Sequence, residues 1–232
     1  MHPLFILSGG RSARLGGLTD RKPKCMVHID NKPFIFHQLN LVEARGIKSV
    51  TLCLGHLASE IVQFIEKKYC GNLDITFSFD GDMVLGTGGA VKKASQNITT
   101  PFFVMYGDSY LDISFKEVGD RYVLKKGPLM VIYRNNGRYD ASNVHFSGKN
   151  FIYKKSNPNP LSEFIDYGLS IFERSHFDNF LGTFDLSLVH EKYSELENIQ
   201  FFKAKKSFYE IGSIKGLERA RIELPKKIKI NT

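Results

Sequence analysis

Short β-rich segments alternate with helical segments through the first 134 residues of this chain. Apolar, β-rich segments at 3–8, 49–54, 74–79 and 101–106 predict strands, and the stretches between them predict helices. Such alternation is typical of a mostly parallel sheet covered by helices, because parallel strands need a long crossover connection. The pattern therefore predicts an α/β fold.

Two predicted helices in this half have apolar residues at a spacing of about 3.6. Ile35, Leu39 and Val42 predict the buried side of a helix that begins at Pro33 and ends at Gly46. The second helix has its own apolar stripe: Leu57, Ile61, Phe64, Ile65 and Tyr69. Both stripes predict core packing rather than cofactor contacts.

The second half of the chain is less regular. Its predicted elements are strands at 129–134, 142–146 and 150–154, helices at 184–193 and from 213 to about 223, and an extended segment at 199–212. The sequence contains no internal repeat, low-complexity tract or clear linker. A single domain over residues 1–232 is therefore expected.

The composition favours a soluble protein with a substantial core. The chain has 232 residues, of which 42% are hydrophobic. No run approaches the roughly 18 apolar residues that a membrane span needs. The first residues lack the basic start and the length of a secretion signal. We therefore expect a cytoplasmic protein without a membrane span.

A formal net charge of +8 indicates an anionic partner. Nucleic acid, an anionic membrane surface and small polyanionic substrates all match this charge. The sequence has neither zinc-finger spacing nor the aromatic motif of RNA-recognition domains, so we expect no nucleic-acid partner. The oligomeric state is left open, and a homo-oligomer is compatible with the sequence.

A glycine-rich, basic segment, LSGGRSARLGGLTDRKPK at 7–24, directly follows the first predicted strand. In open α/β sheets, ligands bind at the carboxyl ends of the strands. Gly9 and Gly10 remove side chains where a ligand would approach, and successive N–H groups form a concavity suited to anions. The spacing fits neither a Walker-type loop nor a dinucleotide fingerprint. The segment therefore predicts a phosphate site, the alternative being a solvated basic loop.

The same segment resembles the nucleotide-binding signature of sugar-1-phosphate nucleotidylyltransferases. The family pattern reads roughly L-x-G-G-x-G-T-R-L, followed after a short loop by P-K-P-M. The matching residues are Gly9, Gly10, Arg14, Leu15, Pro23, Lys24 and Met26. Ser12 and Ala13 replace the usual Gly-Thr, and Cys25 replaces the second proline.

Four further motifs resemble the same family, in the same order along the chain. LGTGGAVKKA at 85–94 is similar to its second nucleotide-contacting segment, and Gly107-Asp108 to its metal-binding Gly-Asp. FIDYGLSIF at 164–172 is similar to the segment that lines the sugar pocket. YEIGSIKGLERA at 209–220 resembles the closing Asp-Ile-Gly motif, with Glu210 in place of the aspartate.

The resemblance implies a Rossmann-like three-layer sandwich with a mixed, mostly parallel central sheet. It also implies a reaction in which a sugar 1-phosphate attacks the α-phosphorus of a nucleoside triphosphate and releases pyrophosphate. Such a reaction needs charge neutralisation and orientation, so the expected cofactor is Mg²⁺. The expected partners are therefore a nucleoside triphosphate and a sugar 1-phosphate.

The resemblance also assigns roles to individual residues. Arg14 and Lys24 are the expected catalytic cations, and Asp108 and Glu210 the expected Mg²⁺ ligands. The expected nucleotide-binding residues are Leu7, Ser8, Gly9, Gly10, Arg11, Ser12, Arg14, Gly86, Thr87 and Gly88. The expected sugar-phosphate residues are Lys154, with Lys155 as its rival, Asp166 and Gly168.

On this interpretation, the part up to about residue 110 binds the nucleotide, and residues 111–232 bind the sugar phosphate. Within the family, the chain looks most like enzymes that make heptose or hexose precursors of bacterial surface glycans, such as heptose 1-phosphate guanylyltransferases. Two alternatives remain. One is a cytidylyl- or uridylyltransferase for another phosphorylated acceptor, and the other is a regulatory domain that binds nucleotide sugars without turnover.

Overall fold

A nine-stranded mixed sheet organises the protein, whose computed structural model describes residues 1–10, 22–81 and 83–230. Six helices are described: α1 (Phe34–Ala44), α2 (Ala58–Lys68), α3 (Gly86–Ala94), α4 (Phe115–Arg121), α5 (Leu186–Glu195) and α6 (Ile214–Ile230). The strands are β1 (Leu4–Leu7), β2 (His28–Ile29), β3 (Lys32–Pro33), β4 (Ser49–Leu54), β5 (Asp74–Phe79), β6 (Phe102–Tyr106), β7 (Ser109–Tyr110), β8 (Leu129–Arg134), β9 (Val144–Ser147), β10 (Asn150–Tyr153), β11 (Phe164–Phe172), β12 (Gln200–Ala204) and β13 (Tyr209–Glu210).

The strands that carry the predicted nucleotide site are parallel. β1 lies between β4 and β6, so that Leu4 pairs with both Val50 and Phe103, and β5 extends the sheet beyond β4. The carboxyl ends of these four strands therefore meet at one edge of the sheet. This is the edge at which open α/β sheets bind ligands.

The other half of the sheet is built around β11. This strand runs antiparallel to β6 and β8, and β8 in turn pairs in parallel with β12. The register of β11 against β8 shifts between Asp166 and Ser170, where Gly168 has a φ of +89°. Glycine suits this bulge because it lacks the Cβ that makes positive φ costly.

Alternate residues of the central strands face two different helical layers. Leu4 and Ile6 share a core with residues of α1, α2 and α4. Phe5 lies in the opposite core, with residues of α3 and α5. This arrangement confirms the three-layer α/β fold and the mixed, mostly parallel sheet.

The structure differs from the sequence predictions at three elements. β11 was not predicted as a strand, and the short α4 was not predicted at all. α6 continues to Ile230, beyond the predicted end near residue 223, with Pro225 inside it. The reason is an apolar stripe, Leu217, Ala220, Leu224 and Ile228, which packs on a core that includes Ile29 and Phe34.

A single buried carboxylate ties α6 to the rest of the fold. Asp112 is paired with Arg45, Lys206 and Lys227, which come from the end of α1, from the segment after β12 and from α6. Burial alone would raise the pKa of Asp112, but hydrogen bonds from Lys206 and Arg45 and nearby cationic charge lower it to about 2. The pairs therefore stabilise the fold wherever Asp112 is ionised.

Within the described part of the chain, we find no helix with both the length and the apolar character that crossing a membrane requires.

Replacing Asp112 with asparagine should lower the free energy of unfolding by about 2–3 kcal/mol at pH 7, since the carboxylate is more acidic in the folded state. That contribution is present above the ordinary pKa of about 4 and disappears as the pH falls towards 2. Urea unfolding at pH 7 and pH 3 would measure this. Asp120→Asn, at an exposed pair with Lys116, is the control and should change little. Equal stability of Asp112→Asn and wild type at pH 7 would contradict the role of Asp112.

Candidate functional site

The site begins where β1 ends. Gly9 crosses so close to the backbone after β4 that a Cβ at Gly9 would lie 2.7 Å from the nitrogen of Gly55. Gly10 is exposed, and a Cβ there would meet no described residue within 4 Å. Leu7 is half-buried and Ser8 is buried. Gly9 is therefore needed for the chain crossing, whereas no such contact with the described residues requires a glycine at position 10. Arg11, Ser12 and Arg14 lie outside the described residues.

The turn after β6 reaches the same place. A Cβ at Gly107 would lie 2.4 Å from the carbonyl oxygen of Leu7, so only glycine allows this contact with β1. Asp108 follows directly, and its Oδ1 accepts a hydrogen bond from the Ser109 hydroxyl at 3.1 Å. The predicted Gly107-Asp108 motif therefore lies at the end of its strand, beside the end of β1.

Gln38 of α1 holds this turn from the core side. Its Nε2 donates to the carbonyl oxygens of Tyr106 (3.3 Å) and Ser109 (2.8 Å), one on either side of Asp108. The side chain is fully buried. The sequence analysis did not identify this residue, although a glutamine beside the apolar stripe of α1 must find buried hydrogen-bond partners.

Lys24 stands on a short 3-10 turn, Lys24–Met26, that begins after Pro23. The next residue, Cys25, is 2% exposed and packs in the main core, where burial raises the pKa of its thiol to about 12. The cysteine is therefore an anchor, not a reactive thiol. From this turn, Lys24 Nζ reaches Asp108 Oδ2 at 2.9 Å.

Glu210 is brought to Asp108 by strand pairing. β13 is antiparallel to β7 with Glu210 opposite Ser109, and the N–H of Ile211 donates to the carbonyl of Asp108 at 2.9 Å. The Glu210 carboxylate turns back on the start of α6, where it accepts from the N–H groups of Gly212 and Ser213 and from the Ser213 hydroxyl. Glu210 therefore holds the two residues directly before α6, and Ser213 is the N-cap, since its hydroxyl oxygen accepts from the N–H of Gly216 at 3.0 Å.

Three charged groups converge on Gly212. A Cβ at this position would lie 2.8 Å from Asp108 Oδ2, 3.1 Å from Glu210 Oε2 and 3.4 Å from Lys24 Nζ. The three predicted residues thus meet at one point, from segments 84 and more residues apart in the sequence. In the described ranges, no group of three or more His, Cys, Asp or Glu side chains could hold a metal. Two carboxylates suffice for Mg²⁺, which keeps several waters and binds substrate phosphates.

The glycines of the second predicted nucleotide segment contact the chain before α5. A Cβ at Gly86, whose φ is +72°, would lie 2.5 Å from the carbonyl oxygen of Phe184, and one at Gly88 would lie 2.3 Å from the Phe184 ring. The Thr87 hydroxyl donates to Asp185 (3.2 Å) and accepts from the N–H of Leu186 (2.8 Å). These residues therefore have packing and capping contacts, and their nucleotide-binding role stays a prediction.

Asp166 and Gly168 lie on the other side of Asp108. Asp166 accepts from the Tyr106 hydroxyl (3.0 Å) and from the N–H of Gly168 (2.9 Å), and burial raises its pKa. A Cβ at Gly168 would lie 3.1 Å from the Tyr106 ring and 3.3 Å from Ser109 Oγ. Asp166 and Gly168, two of the residues expected to bind the sugar phosphate, are therefore neighbours of the turn that carries Asp108.

Lys154 is separated from this group, because its ammonium pairs with Glu195 near the end of α5. Lys155 is exposed, and its N–H donates to Glu191 at 2.9 Å. Burial raises the pKa of Asp166, and the charge of Lys155 acts in the opposite direction. The role of either lysine towards the sugar phosphate stays a prediction.

Comparison with known proteins identifies relatives of this chain. The chain is 36% identical over 122 residues to the mannose-1-phosphate guanyltransferase of Yarrowia lipolytica, a match covering 50% of this chain and 33% of that protein. It is 33% identical over 126 residues to the D-glycero-alpha-D-manno-heptose 1-phosphate guanylyltransferase of Aneurinibacillus thermoaerophilus, covering 54% of each. The chain thus matches only about a third to a half of the length of these relatives.

Solved structures share the fold. The crystal structure of HddC from Yersinia pseudotuberculosis, complexed with GMP-PN, superposes with a TM-score of 0.79 at 23% identity, covering 97% of this chain and all of that one. UDP-glucose pyrophosphorylase from Acinetobacter baumanii superposes with a TM-score of 0.72 at 13% identity, with full coverage of both chains. The nucleotidyl transferase family model matches residues 4–207. The chain belongs to the nucleotidyl transferase family.

Proposed function

We propose that the protein transfers a nucleotidyl group from a nucleoside triphosphate to a sugar 1-phosphate and releases pyrophosphate. A phosphate oxygen of the sugar phosphate attacks the α-phosphorus and forms a new P–O bond, while the bond from that phosphorus to the pyrophosphate oxygen breaks. The observation that supports this most is the convergence of Lys24, Asp108 and Glu210 around Gly212, beside the end of β1. The family membership supports the same reaction.

Asp108 and Glu210 fit a magnesium ion, because both are oxygen donors and no side chain at Gly212 fills the space between them. When bound there, Mg²⁺ would neutralise phosphate charge and stabilise the departing pyrophosphate. Gln38 and Ser109 orient the Asp108 carboxylate, and the start of α6 orients that of Glu210. Lys24, and Arg14 outside the described residues, are the cations assigned to the phosphates.

The relatives support a guanosine nucleotide and a hexose or heptose 1-phosphate as substrates, since those quoted above are guanyltransferases for mannose or heptose 1-phosphate. The part up to about residue 110 would bind the nucleotide. The part from residue 111 onwards would bind the sugar phosphate. Asp166 and Gly168 lie on the latter side next to Asp108, and the charge of Lys155 opposes the rise that burial causes in the pKa of Asp166. The reaction is assigned to the cytoplasm and to the supply of surface-glycan precursors.

The test is a matrix of the four common triphosphates against a panel of sugar 1-phosphates, scored by pyrophosphate release with Mg²⁺. GTP with a mannose or heptose 1-phosphate should give the highest kcat/KM. Asp108→Asn should lower this rate by about 100-fold or more, because it removes a metal charge. Asp74→Asn, on the exposed start of β5, is the matched control. Nucleotide-sugar binding without turnover for any pair would indicate a regulatory domain instead.

Gln38→Met should raise the Mg²⁺ concentration needed for half-maximal activity by about tenfold, because the turn carrying Asp108 loses its support. Methionine has a similar shape but leaves the carbonyl oxygens of Tyr106 and Ser109 without this buried donor, so the free energy of unfolding should also fall, by about 1–3 kcal/mol. Metal-activation curves and urea unfolding would measure both effects. Gln63→Met, on the exposed face of α2, is the control. An unchanged activation curve would show that Gln38 is only a core residue.

Lys155→Met should raise the KM for the sugar 1-phosphate by about tenfold, since a charge-assisted hydrogen bond to phosphate is lost. The KM for the triphosphate should stay within about twofold. Lys154→Met, which removes the same charge one residue away, should leave both values close to wild type. Steady-state kinetics with each substrate varied in turn would measure both KM values. A larger rise in the KM for the sugar 1-phosphate in Lys154→Met than in Lys155→Met would assign the phosphate contact to Lys154 instead.

A further inference from the structure

The ammonium of Lys24 occupies the place of a cation on Asp108, one of the two proposed metal ligands. It lies 2.9 Å from Asp108 Oδ2, and the point that the Gly212 Cβ would fill lies within 3.4 Å of Lys24 Nζ and of one oxygen from each carboxylate. The Lys24 and Asp108 side chains are only 19% and 25% exposed. This partly buried pair is therefore screened less than a surface salt bridge.

A divalent cation and the Lys24 ammonium cannot both use this position. Asp108 Oδ1 already accepts from Ser109, and Oδ2 is the oxygen that binds Lys24. Both oxygens of Glu210 accept hydrogen bonds from the start of α6. A metal held by Asp108 Oδ2 would lie close to the ammonium, and the two positive charges would repel each other.

We infer that Lys24 holds the metal position in the free protein, and that a divalent cation binds by displacing its ammonium from Asp108. The inference rests on the proposed function, because it takes Asp108 as a metal ligand. The backbone of Lys24 stays fixed, since Pro23 and Cys25 on either side are buried. The four-carbon stem rotates instead, and the released ammonium becomes available to a phosphate group.

This exchange makes metal and triphosphate binding cooperative. Without a bound phosphate, a metal that binds Asp108 must break the Lys24–Asp108 ion pair. The ammonium of Lys24 then gains no new anionic partner. With a triphosphate present, the displaced ammonium has such a partner, so each ligand favours the other. Lys24 thereby suppresses metal binding until the nucleotide arrives.

The test is a titration of the free protein with Mn²⁺, followed by electron paramagnetic resonance. Lys24→Gln should bind Mn²⁺ about tenfold more tightly than wild type. Lys22→Gln removes the same charge two residues away and should match wild type, which separates local displacement from a general electrostatic effect. The double variant Lys24→Gln/Asp108→Asn should not show the tighter Mn²⁺ binding expected of Lys24→Gln. Equal or weaker Mn²⁺ binding by Lys24→Gln would overturn the inference.

A second titration in the presence of a non-hydrolysable GTP analogue measures the cooperativity. The analogue should strengthen Mn²⁺ binding more for wild type than for Lys24→Gln, and an equal gain in both would overturn the coupling. The result is independent of turnover. Tighter Mn²⁺ binding by Lys24→Gln in a protein that releases no pyrophosphate would contradict the proposed function while leaving the exchange in place.

Discussion

The site depends on the close approach of three backbone segments at the carboxyl edge of the parallel strands. Gly9 meets Gly55 after β4, and Gly107 meets the carbonyl of Leu7, at separations that leave no room for a Cβ. Side chains at these positions would push β1 away from its neighbours. Asp108 follows Gly107 directly, so its distance from the end of β1 is set by this contact. Gly9 and Gly107 therefore act first through chain packing.

Charge is distributed so that three carboxylates near this edge, the buried Asp112 and the half-buried Asp108 and Glu210, are matched. Asp108 is paired with Lys24, Asp112 with three cations, and Glu210 with donors at the start of α6. Unpaired, such groups would lose solvation without compensation. The pairings differ in purpose. Among the described residues, three cations on Asp112 join separate segments, whereas Asp108 is paired with Lys24, whose ammonium we propose is displaced by a divalent cation.

Periodicity and strand-end motifs predicted much of the fold and part of the site. The apolar stripes of α1 and α2 and the runs of β4 and β5 are local signals, and so is the placement of Gly107-Asp108 at a strand end. β11 was missed because the bulge at Gly168 and burial on both faces remove the alternation expected of a strand. The extension of α6 was missed because Pro225 and the lysines obscure the apolar stripe. The Lys24–Asp108 pair and the contacts of Gln38 with the Asp108 turn depend on tertiary structure, which no local pattern encodes.

The glutamate at position 210 shows how one methylene group alters a site. Because its side chain is longer than that of aspartate, the carboxylate reaches back to the N–H groups of Gly212 and Ser213 and lies over Gly216, where any Cβ would clash with it. α6 is thus held by Glu210 on Ser213, directly before its first residue, and by Lys227 on Asp112 in its last turns. Both attachments lead to the short segment from Asp108 to Asp112. The position of the helix and the geometry of the two carboxylates are therefore set together, so a shift of α6 would move Glu210 relative to Asp108.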